Sequence, residues 1–103
     1  QVYTPTRAGR EALDAWLADD AGGEAAFHLR LFVGSLMPSA TLAAHVERFR
    51  ETARARLAGY RELEPTNTRE GPDRFHWFEL RRAIERAEQD VAWADWVLEE
   101  LGR

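Results

Sequence analysis

The chain has 103 residues, 45% hydrophobic and 31% charged, with a net charge of −4 and an isoelectric point near 5.4. That length fits one domain with its own core, and the composition lies outside the disordered range. The acidic balance argues against a nucleic-acid-binding stripe, and the lack of cysteine removes disulfides, thiolate metal sites and a Cys nucleophile.

Gln1, Val2 and Tyr3 are β-formers with no partner strand after them, so they read as the end of an extended segment whose pairing lies in a longer parent chain. Thr6 is suited to cap a helix. Arg7 at the first helical position, with Leu13, Trp16 and Leu17 at helical spacing, predicts a first helix over 7–18. Asp19 to Gly23 should break it and form a mobile loop, because paired Gly weakens a helix and acids sit badly at a helix C-terminus.

Glu24 to Leu36 is apolar nearly all round, which predicts a short second helix and the most buried one, with His28 and Arg30 as polar interruptions. Pro38 ends it and Ser39 is placed to cap the next. Leu42, Val46, Phe49, Ala53, Arg56 or Leu57, Tyr60 and Leu63 or Glu64 form a near-heptad stripe over a helix of 40–63. Its other sides carry Glu47, Arg48, Arg50, Glu51 and Arg54, a solvated face with weak pairs along the helix. Residues 65–72 are turn formers, and Asp73 is a fitting cap for the final helix.

That helix, 74–101, dominates the chain. Trp77, Leu80, Ile84, Ala87, Val91, Ala94, Leu98 and Leu101 alternate at three and four residues, an a/d seam that requires a helical partner. A second apolar set, Phe75, Phe78, Trp93, Trp96 and Val97, falls on the opposite side, with Arg82, Glu85, Arg86 and Gln89 between its two ends. A helix apolar on two faces must be covered twice, which points to a second copy of the chain. The expectation is an all-α fold of four helices, two short and two long, forming an antiparallel hairpin-like dimerisation domain. The candidate dimer interface is Trp77, Leu80, Ile84, Ala87, Val91, Ala94 and Leu98.

Chemistry is sparse. His28, His45 and His76 lie on three helices without the spacing that puts two ligands on one face, and adjacent pairs such as Asp19/Asp20 and Glu99/Glu100 point different ways. Ser35 and Ser39 lack a nucleophile-elbow pattern, and Gly22-Gly23 lacks phosphate-loop spacing. No enzyme, cofactor or metal is expected. The tryptophans serve as core anchors or, on a sharper reading, Phe75, Phe78, Trp93 and Trp96 line an apolar slot between subunits that accepts a planar effector. No signal peptide or spanning segment is visible, so no membrane association and a cytoplasmic location are expected. All fourteen basic residues are Arg, as GC-rich coding would produce.

Tyr3, Thr6, Gly9, Leu13, Trp16 and Leu17 together resemble the end of a PadR-type winged helix-turn-helix and the start of its C-terminal domain. Leu29-x-Leu31-Phe32-Val33-Gly34 is similar to that family's second C-terminal helix. Ala92-Trp93 and Leu98 to Leu101 resemble the closing helix of its subgroup related to a virulence-gene activator. The resemblance implies that residues 1–6 are a remnant of the wing and 7–103 a helical dimerisation and effector domain of a transcriptional regulator. DNA binding then belongs to the parent protein, through a winged-helix domain missing from this chain; the partners implied are a second copy and a small aromatic effector. The alternative is a ligand-free dimerisation or protein-interaction module.

Overall fold

The computed structural model describes residues 6–66, 70–71 and 74–103. The described residues form four α-helices: α1 (Arg7–Ala18), α2 (Gly23–Phe32), α3 (Ser39–Leu63) and α4 (Arg74–Leu101), with 3₁₀ turns at Gly34–Leu36 and Glu64–Thr66. No strand occurs among them. The extended reading of Gln1 to Tyr3 and the cap assigned to Asp73 lie outside the described residues. Two compact units are present, residues 1–45 and 46–103, with the boundary inside α3.

In the first unit, α1 starts as its sequence dictates. Thr6 Oγ1 accepts from the Gly9 amide at 3.0 Å, a side-chain cap of a kind that contributes about 1 kcal/mol. The helix stops at Ala18, and Asp19 turns extended while its amide still donates to Ala15 and Trp16 carbonyls. The glycines predict a loose segment between α1 and α2, yet it carries bonds of its own. The Ala21 amide donates to Asp19 Oδ1 at 3.0 Å, and the Ala21 carbonyl accepts from Arg30. Gly22 then takes φ +97°, and a Cβ there would stand 2.7 Å from that of Ala26, so a glycine is required for the entry into α2.

The second helix departs from expectation twice. It ends at Phe32 rather than running to Leu36, because the chain tightens into a 3₁₀ turn with Leu36 N donating to the Val33 carbonyl. Gly34 leaves room for Leu42, whose Cδ2 would lie 2.9 Å from a Cβ at that position. Nor is α2 the most buried element. Phe32 is 87% exposed, Leu29 54% and Leu36 48%, and the buried residue of α2 is Arg30. A helix apolar on every side exposes whatever face its few neighbours leave uncovered, and the face turned inward is the one carrying the charge.

In α3 the cap position falls on Pro38, whose carbonyl accepts from Thr41 and Leu42, so Ser39 is already helical. Within the second unit the remainder of α3 and all of α4 form a hairpin. As α3 advances from Arg50 to Arg61, its ion-pair partners on α4 recede from Asp95 to Glu88, so the two helices run antiparallel. Val46 and Ala53 of α3 and Leu80, Ala87, Ala94 and Val97 of α4 are buried. Three of these six are Ala, which lets two helix backbones approach closely. Leu57 and Tyr60 are half-buried and Arg56 exposed, which resolves the choice between Arg56 and Leu57 in favour of the apolar residue. At the open end of the hairpin Phe49 and Trp93 pack edge to face, ring centroids 5.4 Å apart. No described helix is long and apolar enough to cross a membrane.

Candidate functional site

Two buried polar side chains organise the first unit, and both address the end of α1. The last carbonyls of a helix have no partner within it. Arg30 is 2% exposed; its Nε donates to the Trp16 carbonyl at 2.8 Å and its Nη1 to the Ala21 carbonyl at 2.8 Å. The same guanidinium lies 4.5 Å from the Trp16 ring centroid, so one cation stacks on an indole and ties down two backbone oxygens. His45, 4% exposed, donates from Nε2 to the Leu17 carbonyl at 2.6 Å, since a carbonyl can only accept. This positive charge and ring donor offset the negative end of α1 where the chain itself supplies Asp19 and Asp20. Neither role is legible from residue type alone, because both partners are backbone atoms far away in the sequence. His28, by contrast, is exposed and lies 3.6 Å from Glu24 along α2.

In the second unit, the seam of α4 is divided. Leu80, Ala87 and Ala94 are covered within the chain, whereas Trp77, Ile84, Val91 and Leu98 are half-buried. Trp77, Leu80 and Ile84 form the floor of a shallow groove of about 240 Å³, with Glu64, Arg81, Glu85 and Glu88 around it. Two of its three carboxylates carry ion pairs: Arg81 Nε pairs with Glu85 at 3.0 Å, and Arg61 with Glu88 at 3.4 Å. The guanidinium of Arg81 also lies over Trp77, 5.7 Å from the ring centroid. Sites for drug-sized ligands typically start near ~300 Å³ and are more enclosed. The rim residues sit beside the seam by helical spacing, but nothing in the sequence distinguishes them, because charges outside a stripe look alike.

The four residues of the candidate effector slot do not meet in one chain. Phe75 and Phe78 touch edge to face at 5.9 Å, and both are exposed. Trp93 turns to Phe49, and Trp96 stands exposed near the other end of the helix. Fifteen positions separate Phe78 from Trp93, about 22 Å along the axis at 1.5 Å per residue. Among the described residues no group of three or more His, Asp or Glu side chains is arranged to hold a metal ion.

No curated protein and no solved structure matches the chain. A family model does: the one described as virulence activator alpha C-term matches residues 25–102, which takes in α2 from its third residue and all of α3 and α4. The match covers the clamp residues Arg30 and His45 and the entire hairpin, and so the chain belongs to the virulence activator alpha C-terminal family.

Proposed function

We propose that this chain is the C-terminal dimerisation and effector-sensing part of a PadR-like transcriptional regulator, working in the cytoplasm as a homodimer. DNA is read by a winged-helix domain of the parent protein, and the C-terminal part performs no catalysis. The observation that carries the reading is the family match over residues 25–102, joined to a last helix that keeps exposed aromatic rings at both ends of a second side after its hairpin partner has covered the first. A regulator that reads two half-sites needs a rigid joint between its heads, and a 28-residue helix, about 42 Å long, is a suitable strut. An effector that binds one dimer geometry better than another would shift the spacing of the heads.

Sedimentation equilibrium tests the dimer: twice the 11.8 kDa chain mass is expected, and a monomer at micromolar concentration overturns it. Tryptophan fluorescence titrated with phenolic and cationic aromatic compounds tests the sensor. Saturable quenching in the dimer is expected, and its absence throughout the panel removes the effector.

A second reading, a dimerisation module without a ligand, is favoured by one observation. Trp93 is already engaged by Phe49 of its own chain, and Phe75 with Phe78 stands about 22 Å or more from it. Under this reading the aromatic residues only fill the contact between copies, and no compound quenches them.

A further inference from the structure

We propose that the outer face of α4 is self-complementary: it receives the same face of a second copy, antiparallel, about a two-fold axis between Glu85 and Arg86. This rests on the dimer reading above and assigns to it a face, a direction and a register. The face begins and ends with exposed aromatic rings, Phe75 at 67% and Phe78 at 43% near one end, Trp96 at 57% near the other. Between them Arg82, Glu85, Arg86 and Gln89 are all exposed. At 100° per residue these positions and Trp93 share an arc of about 100°.

The order of residues along that arc has a property that a solvated face does not need. Turned end for end about the point between Glu85 and Arg86, it places acid on base, with Glu85, which also pairs with Arg81 of its own chain, against the partner's Arg86. One step outward Arg82 meets the partner's Gln89. Two steps further Phe78 meets the partner's Trp93, and Phe75 meets the partner's Trp96. A two-fold axis repeats each pair, so one register covers every exposed ring at both ends and sets opposite charges at its centre. Shifting the pairing by one turn in either direction leaves two of the rings against charged or open positions. Aromatic side chains bury some 150–250 Å² each when fully covered, so at these exposures the three exposed rings offer on the order of 350 Å² per copy. Twice that is about 700 Å² of aromatic surface, to which the polar centre adds, against the roughly 1,200 Å² at which stable protein interfaces begin. Of the seam of α4, Leu80, Ala87 and Ala94 are already covered inside the chain, which leaves its half-buried Trp77, Ile84, Val91 and Leu98 as the rival contact.

Two measurements on the 103-residue chain test the register. The chain has no cysteine, so introduced thiols report without interference. With Arg82→Cys and Gln89→Cys mixed under a mild oxidant, a mixed disulfide dimer is expected. Arg82→Cys alone should give none, because the two copies of position 82 lie about 10 Å apart along the axis, beyond the ~7 Å Cα limit of a disulfide. The second measurement is a double-mutant cycle on the dimer dissociation constant. Phe75→Ala and Trp96→Ala lie about 32 Å apart on one helix and should act independently unless they touch across the pair. Each is expected to weaken the dimer about tenfold, and the double variant far less than the hundredfold of independent sites. A dimer in which the effects multiply, or in which Arg82→Cys links to itself while the mixture gives no mixed disulfide, overturns this register and leaves the dimer reading standing. A monomeric unmodified chain overturns both.

Discussion

The two units reach order by opposite means. In the first, Leu17, Met37 and Leu42 supply the buried apolar side chains, and the junction between α1, its loop and α2 is made by one guanidinium and one imidazole on backbone carbonyls. In the second, the contact runs along the whole hairpin through small and medium apolar side chains, with ion pairs at its margins. Polar clamps concentrate stability in few atoms, because a buried carbonyl that loses its donor incurs its full desolvation cost. A packed seam distributes stability, and no single polar group in it is decisive.

The largest effect should therefore come from one residue of the first unit. Arg30→Ala is expected to lower stability by about 3 kcal/mol, since it removes two charge-assisted hydrogen bonds and the stack on Trp16 together. Arg30→Lys should recover less than half of this, because an ammonium lacks the planar fork that reaches both carbonyls while stacking. Denaturant midpoints at constant slope measure both, and a loss below about 1 kcal/mol for Arg30→Ala would show that the clamp is incidental. Next in size is overpacking of the hairpin. Ala94 is wholly buried, so Ala94→Leu should cost about 2 kcal/mol and be visible as a lower melting temperature. Smallest is the marginal ion pair. Arg50→Ala removes a 2.7 Å contact to Asp95, but the carboxylate is half exposed and the pair is screened, so a change of about 0.5 kcal/mol or less is expected, shrinking with added salt. A larger loss there would mean that the hairpin too depends on a polar clamp.

Much of the architecture is legible in the order of residues alone. Thr6 and the Asp19–Gly23 break bracket α1, Pro38 starts α3 within one residue of its expected position, and the turn-rich stretch before Arg74 opens α4. These signals are local: a cap, a ring or a missing Cβ acts on its own backbone. The burial of α2 is not legible. Counting apolar residues ranks Phe32 above Arg30 for the interior, but the carbonyls of Trp16 and Ala21 reverse that order, and acceptors on the main chain carry no mark in a sequence of side chains. The aromatic set of α4 is legible both as a face and as two ends, while the engagement of Trp93 by Phe49 is not, because that contact lies between two helices.

The connection between α1 and α2 has an unusual consequence for how this molecule can change. Surface connections ordinarily absorb added or deleted residues at little cost. In this chain Arg30 reaches back fourteen positions to one carbonyl and nine to another, so the distance along the chain is gauged at two points at once. An extra residue between Ala18 and Ala21 would shift one mooring relative to the other, and that segment is thereby fixed in length as strictly as a helix interior.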